Sequence, residues 1–147
     1  MKNYLFIFIG LAAISACNKS QKQNTDYTQL AQILFKQQQA WNSGNLEEFM
    51  AYYSRDTGMQ FITKRGVRKG WKATLDGYKK TYKGSKDSMG RLDFKIDKME
   101  FLDENENVGH INGRWYLYRH IDTPQGHFSL ITRREQGQHR IFIDHTW

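Results

Sequence analysis

The chain has 147 residues, one cysteine and a formal net charge of +7. That length suffices for one hydrophobic core and is too short for two, and a lone cysteine excludes a disulfide within the chain. The Lys and Arg residues are scattered with no dense run, so no nucleic-acid partner is expected; contact with anionic lipid or an anionic ligand suits them better.

Met1-Lys2-Asn3 is short and basic, and residues 4–13 (YLFIFIGLAA) are apolar and uncharged. The run falls short of the roughly 20 apolar residues of a permanent span and has the layout of a secretory signal. Ile14-Ser15-Ala16-Cys17 then resembles the lipobox of bacterial lipoproteins: an aliphatic residue, two small ones, then cysteine. The resemblance implies a signal peptide over residues 1–16, cleavage before Cys17 and lipid on its thiol, which also accounts for the odd cysteine. Two or more acyl chains hold a protein stably to a membrane. Residues 17–24 are polar and read as a lipidated flexible tether. Asn18, rather than Asp, follows the cysteine; similarity to lipoprotein sorting rules implies the cell envelope and, in a cell with an outer membrane, that membrane, facing the periplasm. The other reading is an ordinary signal peptide with a chance cysteine. Either way residues 25–147 form the folded domain.

Asp26-Tyr27-Thr28-Gln29 has the form of a helix start, a capping side chain with Gln three residues on. Leu30, Ile33, Leu34 and Trp41 then share one helical face, and Gly44 supplies the stop. Asn45-Leu46-Glu47-Glu48 caps a second helix, with Leu46, Phe49, Met50 and Tyr53 inward. After a turn over 55–58, residues 59–63 and 67–69 read as short strands. The spacing of Trp71, Leu75, Tyr78 and Tyr82 predicts a third helix ending near Gly84. From Arg91 the apolar period becomes two: Leu92, Phe94 and Ile96 alternate, then the set slips to Met99 and Phe101, which predicts a bulge at Asp97-Lys98. Residues 109–120, 127–135 and 140–147 complete an antiparallel meander. Helices first and strands afterwards make an α+β domain, three helices against one face of a sheet.

A turn centred near Gly137 sets Leu130 opposite Asp144, and one centred near Thr123 sets Tyr116 opposite Leu130. Side chains alternate across a sheet, so this register puts Arg114, Tyr116, Phe128, Leu130, Phe142, Asp144 and Thr146 on one face. The other carries Trp115, Leu117, Ile143 and His145. Both faces are apolar, which predicts helices against one and a second copy of the chain, in a homodimer, against the other. A one-residue error in the second turn would exchange the two faces of residues 109–120.

The chain resembles the nuclear transport factor 2-like superfamily, in its bacterial branch related to polyketide cyclases and ketosteroid isomerase. The matching stretches are residues 39–47 (QAWNSGNLE), Arg65-Gly66-Val67 with Gly70-Trp71, Gly113-Arg114-Trp115, Gly126-His127-Phe128 and Asp144-His145-Thr146. Departures are His139, where relatives usually carry Trp, and Trp147, where they carry Ser. The resemblance implies a cone: a strongly curved antiparallel or mixed sheet wrapped on three helices, with a pocket between them. It also implies that Trp41, Tyr53, Phe61, Trp71 and Tyr78 line that pocket; the other reading of these aromatics, at helical spacing, is plain core. Such folds serve isomerases, cyclases, dehydratases, binding domains and dimerisation modules, so the fold does not fix the activity.

Asp144 is the leading candidate for an acid, base or ligand-orienting group, because a carboxylate facing an aromatic cavity has its pKa raised by desolvation. Arg114, on the same expected face, would offset that charge or grip an anionic ligand; the competing reading is a structural Asp–Arg pair across strands. Tyr116 and Phe128 join the expected ligand-binding face. His145 points away from its neighbour Asp144. His110, His120, His127 and His139 show no metal-ligand spacing, so neither metal nor cofactor is expected. No G-x-S-x-G, phosphate-binding loop or dinucleotide fingerprint is present. Three functions stay open: binding of a small apolar or weakly acidic molecule; cofactor-free proton transfer of the isomerase, cyclase or dehydratase type, with Asp144 as acid or base; and a non-catalytic dimerisation module.

Overall fold

A computed structural model describes the backbone of residues 12–83 and 85–147 and side chains from Tyr27 onward. Residues 1–11 of the expected signal lie outside the described residues. Helix α1 spans Ala12–Asn42, so it begins well before the cap expected at Asp26. Residues 17–24, expected as a tether, are helical and continuous with it. The segment is rich in Lys and Gln, which favour helix, and holds no Gly or Pro to stop one. Leu30, Ile33, Leu34, Gln37, Ala40 and Trp41 form the buried stripe of α1, each at most 3% exposed. At its end Asn45 N–H donates to the Ala40 carbonyl and Gly44 N–H to that of Trp41, with Gly44 at φ 83°. This paired closure is the glycine-terminated helix end that Gly44 promised. Among the described residues no helix is long and apolar enough to cross a membrane.

Asn45 caps α2 (Leu46–Met50): its Oδ1 accepts from Glu48 N–H at 3.0 Å. Strands β1 (Gln60–Thr63) and β2 (Gly66–Lys69) form the expected hairpin, and α3 covers Trp71–Tyr82. A single extra turn, α4 (Lys86–Met89), has no counterpart in the sequence reading. Strands β3 (Arg91–Phe101), β4 (Val108–Tyr118), β5 (Gln125–Glu135) and β6 (Gln138–Thr146) follow. The six strands form one sheet in the order β2-β1-β6-β5-β4-β3, with only the β1–β6 pair parallel. The mixed α+β architecture agrees with the expected fold class. The β3 bulge falls at Asp97, where the register shifts between Ile96 and Lys98.

Two registers decide what faces the interior. Leu130 lies opposite Asp144, as expected. On β4, however, Ile111 lies opposite Leu130, and Tyr116 opposite Gln125. The β4–β5 turn sits earlier than expected, closed by Arg119 N–H to the Asp122 carbonyl at 2.9 Å and by the Arg119–Asp122 ion pair. An odd displacement turns every β4 side chain over. Trp115 and Leu117 therefore point inward, and Arg114 and Tyr116 outward. A second, unexpected shift between Ile131 and Thr132 brings Ile141 into the core in place of Phe142. Phe142 instead packs under the Arg133 guanidinium, 3.4 Å from its ring centre.

The core joins the α1 stripe to α2 and the inner sheet face. Leu30, Met50, Met59, Met89, Ile111 and Ile141 are completely buried, and each such side chain contributes about 1.5–3 kcal/mol by leaving water.

Candidate functional site

The helices do not fill the whole concave side of the sheet. Between α1, α2, α3 and the inner faces of β1 and β3–β6 remains a cavity of about 130 Å³. Trp41, Phe49, Tyr53, Phe61, Tyr78 and Phe128 wall it, with Leu92, Leu117 and Leu130 between them. The half-buried Tyr78, Tyr82, Phe94, Trp115 and Thr146 line its less enclosed part. The rings meet mostly edge to face: Trp41 and Tyr82 are 4.8 Å apart at 83°, Phe49 and Tyr78 5.4 Å at 72°, and Phe94 and Phe128 5.5 Å at 78°. Such contacts add about 0.5–1.5 kcal/mol per pair beyond burial.

One end of the cavity is polar. Asp144, 4% exposed, accepts from the Tyr53 hydroxyl at 2.6 Å through Oδ2 and from the Thr146 hydroxyl at 2.7 Å through Oδ1. Burial pushes its carboxyl above the usual carboxylate range; the bonds from Tyr53 and Thr146, and the field of His145, offset only part of that. Among the described residues no Lys or Arg forms an ion pair with it. Burial, then the Asp144 charge, holds the Tyr53 phenol well above its ordinary range. Tyr78 is raised for the same reasons, in the same order, with a hydrogen bond to Tyr53 acting the other way. Gln37 supports this end from α1: it is 1% exposed, its amide nitrogen donates to the Phe49 carbonyl at 3.2 Å, and it also hydrogen-bonds Tyr53. The polar end is thus a buried carboxyl ringed by neutral hydroxyls, a surface for a neutral polar group rather than an anion.

Six of the expected pocket residues meet here: Trp41, Tyr53, Phe61, Tyr78, Phe128 and Asp144. Three do not. Trp71 turns its indole N–H to the Met50 carbonyl at 2.6 Å and stacks under Arg55, whose guanidinium lies 3.4 Å from its ring centre. Arg114 faces the outer side of the sheet and pairs with Asp97 at 3.0 Å. Tyr116, flipped with it, stacks on Tyr118. The expected Asp144–Arg114 pair therefore does not exist, because β4 is turned over. Trp115 and Leu117, expected at a dimer interface, line the cavity instead.

Gln37 was not expected at the pocket, and Tyr82 and Thr146 were expected on the correct faces without being assigned to it. Gln37 occupies a stripe position between Leu34 and Trp41, where a polar residue on a buried face calls for a partner. Thr146, two residues beyond Asp144, necessarily shares its face. Among the described residues no group of three or more His, Cys, Asp or Glu is placed to hold a metal ion.

A mixed sheet curved over helices, with an aromatic pocket between them, defines a cone-shaped α+β domain. No family model and no curated protein matches the chain. Solved structures do. A nuclear transport factor 2-like protein of unknown function from Shewanella oneidensis is 34% identical, over 82% of this chain and 97% of its own, with a TM-score of 0.77. The chain belongs to the nuclear transport factor 2-like family. Two more distant structures share the fold alone. One is a cystatin-like domain of unknown function from Nostoc punctiforme, 18% identical over 83% of this chain and 76% of its own, at a TM-score of 0.69. The other, a nuclear transport factor 2-like superfamily protein from Salmonella enterica, is 14% identical over 85% and 92%, at 0.66.

Proposed function

We propose that the chain is a lipid-anchored protein of the cell envelope whose domain binds a small, neutral, largely apolar molecule carrying one weakly acidic hydroxyl. The observation that carries this reading is the cavity: about 130 Å³, aromatic on most sides, with Asp144 and Tyr53 at one end. A dry apolar cavity of about 150 Å³ is enough to hold benzene, so one ring is the right scale. Among the described residues no cation pairs with Asp144, so a carboxylate ligand would find no charge to offset its own there. A ligand hydroxyl can donate to Asp144 or to the Tyr53 oxygen, whose own hydrogen is given to Asp144. The anchor rests on the lipobox ending at Cys17. Thermal unfolding of the full chain with benzene, phenol and cresols tests the pocket. A ligand at a hundred times its Kd adds about 2.7 kcal/mol; no stabilisation by any of them refutes the reading.

A second reading, cofactor-free proton transfer, is favoured by one observation: the raised Asp144 carboxyl lies beside the neutral hydroxyls of Tyr53 and Tyr78. A carboxylate shifted toward neutrality is a better base, and phenols can stabilise an enolate oxygen. Deuterium wash-in at the α-carbon of a cyclic ketone, lost in Asp144→Asn, is the result this reading requires.

A further inference from the structure

The observed register assembles a second cluster on the outer face of the sheet, away from the cavity. Glu100 on β3 and His110 on β4 are direct cross-strand partners. Ser129 on β5 lies diagonally beyond, opposite Asn112 on β4 and His145 on β6. The His110 Nε2 is 2.9 Å from Ser129 Oγ, and its Nδ1 is 3.2 Å from Glu100 Oε1. The second carboxylate oxygen of Glu100 accepts from Lys98 Nζ at 2.7 Å. All three members are partly accessible, His110 at 22% and Glu100 at 35% of the side chain.

The chemistry of the partners fixes the protons. Glu100 is bound by Lys98 and His110 and held below the usual carboxylate range, so it is ionised and can only accept. In neutral His110, Nδ1 is then the nitrogen that carries hydrogen, and Nε2 presents its lone pair. Ser129 must donate its hydroxyl proton to that lone pair. This is the arrangement that recurs, on unrelated folds, wherever a serine hydroxyl is activated by a histidine oriented by a carboxylate.

We infer that Ser129 is an activated nucleophile that takes the acyl group of small activated esters, with His110 as general base and Glu100 as positioning residue. Ser129 Oγ bonds to the ester carbonyl carbon as its proton passes to His110 Nε2. The tetrahedral adduct collapses, the C–O bond to the leaving group breaks, and the departing alcohol takes the proton from His110. Water then attacks the acyl-serine, again giving a proton to His110, and releases the carboxylic acid while Ser129 recovers its hydrogen. Asn112 and His145 flank Ser129 in the same row of the outer face. The face is open to water, so the expected gain is the general-base contribution alone, about 10²–10⁴-fold. The acyl-serine is an ordinary alkyl ester, less activated than an aryl ester substrate, so acylation outpaces its hydrolysis.

The full chain in detergent, mixed with p-nitrophenyl acetate, tests it. The expected result is one acetyl group on Ser129, mapped by peptide mass spectrometry, with a burst of nitrophenol. Ser129→Ala should lose both, and His110→Ala should slow acylation by about 10²-fold or more. Glu100→Gln should slow acylation while its melting temperature stays near that of the wild type. A fluorophosphonate should label Ser129 in the wild-type chain, a readout that needs no variant to fold. Acetylation confined to lysines, a Ser129→Ala chain that reacts at the wild-type rate, or a wild type inert to both probes would overturn the inference.

Discussion

Replacing Asp144 by asparagine keeps the size of the side chain and removes its charge. In the folded chain the carboxyl is buried and its pKa is raised, first by desolvation. The folded state therefore keeps this proton to a higher pH than the unfolded chain, whose carboxyl titrates near about 3.9. Between the two values the folded state binds more protons, and stability falls as pH rises. The contribution of protonated Asp144 is complete below the unfolded value and is lost as pH climbs through the folded one. The asparagine side chain does not titrate. At acid pH the substitution should cost about one hydrogen bond, roughly 1 kcal/mol. The reason is that an amide nitrogen carries two hydrogens and accepts none, where the protonated carboxyl oxygen beside Tyr53 Oη or Thr146 Oγ1, 2.6 Å and 2.7 Å away, carries one and still accepts. That corresponds to roughly 3–6 °C in Tm. Through the titration window the difference should close, by at most about 1.4 kcal/mol per pH unit, and then favour the variant. Thermal melts of both chains from pH 4 to pH 8 measure it. A difference that is flat with pH, or that moves toward the wild type as pH rises, would overturn this expectation. It would mean that Asp144 is held as a stabilised charge.

Gly113→Ala tests the register: an added Cβ would press on the Lys95 carbonyl oxygen and lie 2.8 Å from Phe128 Cζ. It should destabilise the domain by about 1–3 kcal/mol in denaturant titration, whereas a near-neutral effect contradicts the placement of Phe128 over Gly113. Arg114→Ala should leave both Tm and pocket binding unchanged within error, because its pair with Asp97 is exposed; weakened ligand binding would restore the guanidinium to the pocket. Cys17→Ser should move the chain from the membrane to the soluble fraction of fractionated cells, and mass spectrometry of the wild type should find acyl chains on Cys17. An unmodified Cys17 in the wild type would remove the anchor from the proposal.

The helical half of the site was legible because helical spacing is dense in information. Leu30, Ile33, Leu34 and Trp41 gave the face of α1, and Trp71, Leu75, Tyr78 and Tyr82 the extent of α3. Gly44 and the Asn45 cap marked the break between α1 and α2 to the residue. The β3 bulge was equally visible, since the apolar set itself slips at Asp97. The β4–β5 turn was not. Pro124-Gln125-Gly126 has turn composition, yet Gln125 and Gly126 belong to β5. Gly126 is there for close approach: an added Cβ would lie 2.9 Å from Trp115 Nε1 and would press on the Trp147 carbonyl oxygen. Read as a loop glycine, it moved the turn centre and turned β4 over. Arg114 and Tyr116 were thereby placed in the pocket, and Trp115 and Leu117 outside it. The contact of His110 with Ser129 was hidden by the same error. Trp71 was misplaced for another reason, because helical spacing gives a face but not where a polar tip finds its acceptor.

Recognition of a neutral hydroxyl on a single ring is the property on which the proposed function stands. Isothermal titration of the full chain with phenol and with benzoate, at one pH near 7, measures it. The two probes are close in size and differ in charge. Phenol should bind, Tyr53→Phe should weaken it, and benzoate should not bind measurably. Benzoate binding as tightly as phenol, or phenol binding unaffected by both Tyr53→Phe and Asp144→Asn, would contradict the proposed function.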